Sequence, residues 1–393
     1  MTRAAPQSLI EPGLTVCVGC GGVGKTTIAA ALALEAARSG RRALVLTIDP
    51  ARRLADALGV ETLDNEPRAL ARAQLDALGV PPEGSLFAVM LDMKRTFDDL
   101  VERFAESPDA RARILDNPIY QHISETLAGS VEYSAMEKVY DLWQNGDYDV
   151  VIVDTPPAQH ALDFLEAPQR LIELLESRVV QMLIHPAFVA GRFGFRLFQQ
   201  GTRRLLKTLE RISGLSFLED VSEFLLAFEG MSPGFRARAR DVRGLLLGPE
   251  SRYVLVTGPA RASVRHALEF RTRLSDYGVT LAGVIANRVH SWPRSRDPLA
   301  ASPEFDASAA DLALLADALG STADPRRAAE AALAAASDYA AVVRRDGKAT
   351  RQLRNAAMGA GGFWAIIPEL PADVHDLDGL ARIAGAVFGS DSE

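Results

Sequence analysis

A glycine-rich loop near the start of the chain is the feature that most restricts its fold. Residues 19–27 have the sequence GCGGVGKTT, which fits the phosphate-binding pattern G-x-x-x-x-G-K-[ST]. An apolar, strand-like run at 14–18 precedes this loop, and a helix-like run at 28–38 follows it. The glycines let the backbone turn tightly around an anion, and the helix N-terminus adds a partial positive charge. An ordinary glycine-rich turn would not explain Lys25 and Thr26 at the helix start, so the pattern predicts nucleotide binding.

Each part of this phosphate loop has an expected task. Lys25 is expected to reach the outer phosphates, and the hydroxyl of Thr26 to ligate Mg²⁺. The predicted cofactors are therefore ATP and Mg²⁺. The loop residues expected to bind the nucleotide are Gly19, Cys20, Gly21, Gly22, Val23, Gly24, Lys25, Thr26 and Thr27.

The composition restricts the class of protein. With 393 residues, 48% of them hydrophobic and 24% charged, the chain is expected to be soluble and globular, with one large core or two smaller ones. No run approaches the roughly 18 to 20 apolar residues that cross a bilayer, and the first residues lack the apolar centre of a signal peptide. We therefore expect a cytoplasmic protein. The net charge of −8 argues against a nucleic-acid partner.

The only two cysteines, Cys17 and Cys20, have the C-x-x-C spacing of some zinc and redox sites. The first is expected in a buried strand and the second in the phosphate loop, so their side chains are not free to converge on one metal. A small buried residue and a loop residue are the better interpretation.

Strand-like and helix-like segments alternate along the chain. The strand-like runs are 14–18, 42–48, 85–90, 148–153, 253–257, 280–286 and 363–367. Because these runs are almost continuously apolar, they predict an α/β fold: a mostly parallel central sheet with helices on both faces and nucleotide at the carboxyl ends of the strands. Helical excursions are expected at about 93–145, 169–248 and 291–360, with an Ala-rich helix near 326–345, inside a single domain of residues 1–393.

Two of the predicted strands end in an acidic residue. Asp49 follows the run at 42–48, and Asp154 follows the run at 148–153. Carboxylates often hold Mg²⁺ through its waters, and a carboxylate can instead orient the attacking water. Asp154 is the better candidate for the metal and Asp49 for the water, although a strand-ending Asp can also be a mere helix cap. The predicted catalytic residues are Lys25, Asp49 and Asp154, and the predicted Mg²⁺ site is Thr26 with Asp49 and Asp154 through water.

The loop and the two acidic segments together resemble the ArsA family of P-loop ATPases, which includes the arsenite-pump ATPase and the targeting ATPase for tail-anchored membrane proteins. The similarity is strongest to bacterial members called anion-transporting ATPases. It is carried by GCGGVGKTT, TIDPARRLADALG and YDVVIVDTPPAQHALDFLEAP. Asp49-Pro50-Ala51 is similar to the first switch of the family, and residues 154–160, with Leu162 and Pro168, to the second. The resemblance implies a dimer that closes around two ATP molecules and relaxes after hydrolysis.

Two weaker matches concern the base. Asn287 is similar to the family's adenine-contacting asparagine, and the segment from Pro368 is similar to its base-flanking loop. The resemblance therefore implies that both residues bind the nucleotide.

The chain departs from the family pattern at several positions. Cys20 stands where the family usually has a lysine that reaches across the dimer to the partner's nucleotide. Arg52 and Arg53 could supply a cation instead, or they could be solvated or paired with acids such as Asp56. The second switch also differs, at Pro156, Ala158, Gln159 and Ala161. A later C-x-x-C pair is missing, and two cysteines cannot form a dispersed thiolate site for a soft metalloid.

The second excursion is rich in phenylalanine. Its aromatic residues between 183 and 235 are Phe188, Phe193, Phe195, Phe198, Phe217, Phe224, Phe228 and Phe235. They could form core, or a groove for an apolar helix such as the targeting branch of the family presents. The same excursion carries a basic series: Arg192, Arg196, Arg203, Lys207, Arg211, Arg236, Arg238, Arg240 and Arg243. The first five recur at helical spacing and would lie along one face of a continuous helix. This face could be solvated, or it could dock on an anionic membrane or an acidic partner.

These features predict a Mg²⁺-dependent ATP hydrolase that acts as a nucleotide-gated dimeric switch for a hydrophobic or membrane-associated client. The expected partner is a second copy or a homologous ATPase, and peripheral attachment to a membrane is open. One alternative is an ATP-binding regulatory or scaffold subunit with slow hydrolysis, which Cys20 keeps in consideration. The other is the motor subunit of an anion efflux pump.

Overall fold

The structure of the chain is a computed structural model. The described residues are 5–49, 51–118, 120–121, 130–156, 165–167, 169–170, 173, 231–293, 309–320, 324–359 and 361–389. The predicted phenylalanine groove from Phe188 to Phe228 and the basic series from Arg192 to Arg211 lie outside these residues.

An eight-stranded sheet forms the centre of the described structure, in the order β3-β4-β2-β5-β1-β6-β7-β8. The strands are β1 Gly13–Gly19, β2 Arg42–Thr47, β3 Arg68–Ala69, β4 Ser85–Met90, β5 Val150–Asp154, β6 Ser251–Thr257, β7 Leu281–Val289 and β8 Phe363–Pro368. All neighbouring strands pair in parallel except β3, a two-residue strand that runs antiparallel to β4. The predicted fold class is confirmed, whereas β3 was not predicted.

Helices connect the strands and cover both faces of the sheet. The described helices are α1 Lys25–Arg38, α2 Arg53–Leu58, α3 Arg72–Ala77, α4 Met93–Phe104, α5 Pro108–Leu115, α6 Ser130–Asn145, α7 Ser232–Leu247, α8 Arg261–Asp276, α9 Ala309–Ala318, α10 Pro325–Gly359 and α11 Leu377–Phe388, and a short 3₁₀ helix spans Pro6–Ile10. Side chains cap several N-termini: Asp92, Ser107 and Asp376 each accept a hydrogen bond from a backbone N–H in the first turn. Of the described helices, none is long and apolar enough to cross a membrane.

The sheet separates two hydrophobic cores, because successive strand residues point to opposite faces. Leu14, Val16 and Val18 of β1 pack in one core with residues of α4, α6, α7, α8 and α10. Cys17 of β1 lies in the other core, together with residues of α1, α2 and α11. Small alanine side chains let α1 lie close to the sheet, and ten of its residues are buried. Each fully buried Leu, Ile or Val contributes about 1.5–3 kcal/mol, so these cores dominate the stability of the fold.

Buried side-chain contacts fix two of the excursion helices. The Arg238 Nε of α7 donates a hydrogen bond of 2.7 Å to Glu137 Oε1 of α6, where the Glu137 side chain is 3% exposed. Arg238 therefore belongs to a buried contact rather than to a solvated face. At the end of β7, His290 Nδ1 lies 2.8 Å from Asp346 Oδ2, a fully buried carboxylate of α10. These pairs hold α7 and α10 in defined positions on the sheet.

Candidate nucleotide site

The phosphate loop connects the carboxyl end of β1 to the first residue of α1. A Cβ atom at Gly19 would lie 2.0 Å from the backbone oxygen of Val256, so only glycine allows this approach of β1 to β6. Gly24, the residue before α1, has a φ of +88°, which is the left-handed region that favours glycine. The helix therefore begins directly at Lys25, and its N-terminal N–H groups face the loop.

Lys25 is folded onto its own loop. Its Nζ donates a hydrogen bond of 3.0 Å to the backbone oxygen of Cys20. Burial lowers the pKa of Lys25, and the nearby negative charge of Asp154 opposes this shift. The ammonium group is thus held beside the loop amides, where it can neutralise an anion.

Asp154 ends β5 between β1 and β2 and lies beside the start of α1. Its Oδ2 accepts a hydrogen bond of 2.6 Å from Thr26 Oγ1 and one of 2.8 Å from Thr47 Oγ1. Its Oδ1 is buried and has no hydrogen-bond partner among the described residues. Burial raises the pKa of Asp154, while the two hydroxyl groups and the charge of Lys25 act in the opposite direction.

These contacts provide a test of whether the residues fit Mg²⁺. The ion prefers oxygen ligands and keeps several of its waters, so protein sites often supply only one or two oxygen groups. The Thr26 hydroxyl and the Asp154 carboxylate are in direct contact, and Asp154 carries a buried oxygen with no hydrogen-bond partner in the part of the chain that the structure describes. A buried carboxylate without full compensation is an unfavourable arrangement that a cation would relieve. The donor set therefore fits Mg²⁺.

Asp49 lies at the neighbouring strand end and is more accessible. Its N–H donates to Thr47 Oγ1 at 3.2 Å, and its Oδ1 accepts from the Ala51 N–H at 3.0 Å. Its Oδ2 lies 3.5 Å from an Arg53 nitrogen, and the Asp49 side chain is 35% exposed. The carboxylate is thus held by a local turn, with one oxygen in reach of solvent and of a cation.

Thr47 joins the two acids and was missed in the sequence. Its hydroxyl donates to Asp154 and accepts from the backbone of Asp49, and the residue is 1% exposed. The available signal was a single polar residue at the end of an otherwise apolar strand. Thr155 was also missed, and its hydroxyl donates to the Cys17 oxygen at 2.7 Å, which fixes β5 against β1.

A cleft of about 310 Å³ opens beside the phosphate loop. Gly24, Thr27, Asn287 and Pro368 line it together with residues that follow β8 up to His375. The two weakest sequence matches, Asn287 and Pro368, thus line the same cleft next to the loop. Such a cleft beside a phosphate-binding loop has room for a nucleoside.

The residues that depart from the family pattern have defined surroundings. Cys20 is half-buried in the loop, and burial raises its pKa. Cys17 is fully buried within β1, as the sequence predicted. An Arg52 nitrogen donates to the Glu61 backbone oxygen, and Arg53 pairs with Asp49 rather than with Asp56.

Part of each predicted switch region lies outside the described structure. Pro50, residues 157–164 and Pro168 lie outside the described residues. Of the predicted switches, the structure therefore describes Asp49 and Ala51 in the first and residues 154–156 in the second.

The sequence of the chain is similar to those of known ATPases. The family model described as anion-transporting ATPase, ArsA_ATPase, matches residues 14–297. A protein of Halobacterium salinarum named putative arsenical pump-driving ATPase is 33% identical over 152 residues, which are 38% of this chain and 23% of that protein. The ATPase get3 of Aspergillus terreus is 30% identical over 181 residues, 43% of this chain and 50% of that protein. The ATPase GET3 of Malassezia globosa is 29% identical over 159 residues, 40% of this chain and 43% of that protein. The matches thus span half or less of the length of these curated relatives.

Proposed function

This chain belongs to the ArsA family of anion-transporting ATPases, and we propose that it hydrolyses ATP in a Mg²⁺-dependent reaction. The observation that carries the proposal is the hydrogen-bonded series Thr26–Asp154–Thr47–Asp49 next to the phosphate loop. It joins the expected metal ligand, the expected metal-side acid and the expected water-orienting acid within one connected unit.

The first task of the site is to bind the phosphate chain. Loop N–H groups and the N-terminus of α1 attract phosphate oxygens, and Lys25 exchanges the Cys20 oxygen for a phosphate oxygen. Thr26 and, through water, Asp154 would hold Mg²⁺, which supplies positive charge to the outer phosphates. These groups are fixed before the reaction, so they stabilise developing charge without reorganising.

The second task is to direct water to the terminal phosphate. The Oδ2 atom of Asp49 is accessible. The Asp49 N–H donates to the Thr47 hydroxyl of β2, and the same hydroxyl donates to Asp154 of β5. A carboxylate in this position orients the attacking water and accepts its proton. Asn287 and Pro368 complete the site by contacting the base in the cleft beside the loop.

Two variants test this assignment. Lys25→Ala should abolish ATP binding or turnover, because it removes the cation that neutralises the phosphates. Asp49→Asn should bind Mg²⁺-ATP with unchanged affinity but release phosphate at a strongly reduced rate. Calorimetric titration and a phosphate-release assay measure the two quantities separately. Normal turnover by Asp49→Asn would show that Asp49 does not direct the water.

We further propose that residues 1–393 form one ATPase domain that works as a nucleotide-gated dimer and handles a hydrophobic or membrane-associated client. Support for one domain comes from the core that joins β1 to helices of the first, second and third excursions. Support for the dimer and the client is the family membership and the resemblance to GET3 proteins. Light scattering with and without Mg²⁺-ATP tests the dimer, and proteins that co-purify with the ATP-loaded Asp49→Asn variant test the client.

Cys20 favours a second candidate, an ATP-binding regulatory or scaffold subunit with slow hydrolysis. The half-buried thiol cannot supply the positive charge of the lysine that the family usually has at this position. Turnover that stays very slow alone and rises with a homologous partner would support this candidate. Full turnover by the isolated chain would exclude it. The motor of an anion efflux pump ranks last, because it needs a membrane partner and because two cysteines, one of them buried in β1, cannot form a thiolate site for an anion such as arsenite.

A further inference from the structure

Asn287 contacts the phosphate loop directly. Its Nδ2 donates a buried hydrogen bond of 2.8 Å to the backbone oxygen of Val23, the loop residue before Gly24. The Asn287 residue is 6% exposed and Val23 is 5% exposed. The side chain that is expected to meet the base is therefore already bonded to the loop that is expected to meet the phosphates.

The end of β7 is shaped so that Asn287 reaches the loop. The pairing of β7 with β8 shifts between Ala286 and Val289, which is the signature of a bulge or irregularity. Within this shift Arg288 has a φ of +58°, and no other non-glycine residue in the described part of the chain has a positive φ. Bulges of this kind re-aim a side chain next to a functional site.

The same backbone irregularity fixes which way the amide of Asn287 points. The Arg288 N–H donates to Asn287 Oδ1 at 3.0 Å, so the oxygen must face Arg288 and the nitrogen must face the Val23 oxygen. An aspartate or a leucine could not satisfy both contacts. These two hydrogen bonds, one donated and one accepted, therefore account for an asparagine at position 287 even without a contact to a base.

The loop is in turn shaped to accept Asn287. A Cβ atom at Gly24 would lie 2.4 Å from Asn287 Nδ2. Glycine is therefore required at this position both by the left-handed backbone and by the close approach of the amide.

We propose that Asn287 is a positioning residue for the phosphate loop: its amide holds the Val23 oxygen and so keeps the loop in its phosphate-binding conformation. The inference rests on the proposed ATP site and adds a role that is independent of the base. A loop without this tether occupies the binding conformation for a smaller fraction of the time, and the apparent dissociation constant rises by the same factor for every ligand that binds through phosphates.

The experiment compares Mg²⁺-ATP with Mg²⁺-tripolyphosphate, which has the phosphate chain but no base. Calorimetric titrations are made with wild type, Asn287→Ala and a matched control, Asn65→Ala. Asn65 is also a buried asparagine, 1% exposed, but its Oδ1 accepts from the Asp92 N–H at 3.0 Å instead of binding the loop. Circular dichroism and thermal unfolding establish that each variant is folded, and Asn287→Ser serves if the alanine variant is not.

The expected result is that Asn287→Ala weakens both ligands by a similar factor, on the order of tenfold, because a buried backbone oxygen loses its donor. Asn65→Ala should lower the melting temperature but change neither affinity by more than about twofold. Loss of ATP affinity with unchanged tripolyphosphate affinity would limit Asn287 to a base contact and overturn the inference. Unchanged affinity for both ligands would overturn it too. A wild-type chain that binds neither ligand would instead refute the proposed function.

Discussion

Replacing Asp154 by asparagine should stabilise the protein without nucleotide while removing its response to Mg²⁺-ATP. Asp154 is 1% exposed, and within the described structure only one oxygen of its carboxylate has hydrogen-bond partners. Asparagine has nearly the same shape, and its carbonyl oxygen can accept the same two hydroxyl groups. The substitution therefore removes the buried charge and leaves the packing unchanged.

The size of the effect follows from three opposing contributions. Removing the ion removes an effective desolvation penalty of several kcal/mol. The hydrogen bonds from Thr26 and Thr47 lose their charge assistance, which costs about 1 kcal/mol each, and Lys25 loses an opposite charge. The balance is a gain of about 1–2 kcal/mol, which for a chain of 393 residues raises the melting temperature by about 1–2 °C.

The pH dependence of the melting temperature provides an independent check that Asp154→Asn stabilises the protein. Folding raises the pKa of Asp154 above its unfolded value, because burial disfavours the ion. The folded wild type therefore takes up a proton as the pH falls through that raised pKa, and its stability rises relative to the asparagine variant. The difference in melting temperature between the two proteins should be widest near neutral pH and should narrow in acid.

Thermal unfolding of both proteins, with and without Mg²⁺-ATP, measures these quantities. For wild type, a ligand at 100 times its dissociation constant adds about 2.7 kcal/mol, whereas the variant should gain much less. A variant that is less stable than wild type without nucleotide would refute the argument about the unpartnered oxygen. A variant that keeps the full stabilisation by Mg²⁺-ATP would refute the metal role of Asp154.

Three further predictions concern other contacts. Gly24→Ala should abolish nucleotide binding, measured by titration, because its Cβ would lie 2.4 Å from Asn287 Nδ2; wild-type affinity would contradict the loop geometry. Arg238→Ala should lower the free energy of unfolding in urea by about 1–3 kcal/mol, because the buried Glu137 keeps only its longer contact of 3.7 Å to Arg103, and a loss under 1 kcal/mol would contradict the buried pair. Cys20→Lys should accelerate phosphate release by restoring a cation at the loop, and an unchanged rate would exclude that role.

The central strands were predictable because each is a short, almost continuously apolar run. The predicted and observed bounds of β1 and β4 differ by no more than one residue at either end. The antiparallel strand β3 was not predictable, since Arg68 and Ala69 carry no strand pattern and pair only because β4 lies beside them. The Ala-rich helix was expected to end near residue 345, but α10 continues to Gly359, because Gly347 alone does not interrupt a helix packed on the sheet.

The sequence indicated the candidate residues of the site, but not the hydrogen bonds that connect them. Asp49 and Asp154 were found because each ends an apolar strand, and the strand order then brings them to the same edge. The bridging hydroxyl of Thr47 and the unpartnered oxygen of Asp154 depend on which strands are neighbours, which no local pattern encodes. The tether from Asn287 to Val23 likewise joins positions 264 residues apart in the chain.

The most direct test of the ATP site is a crystal structure with Mg²⁺ and a non-hydrolysable ATP analogue. The account predicts that the phosphate chain lies against the N–H groups of the loop, that Lys25 Nζ has left the Cys20 oxygen for a phosphate oxygen, and that Asp154 faces the metal. A structure with the analogue elsewhere, and with Lys25 still bonded to Cys20, would contradict it.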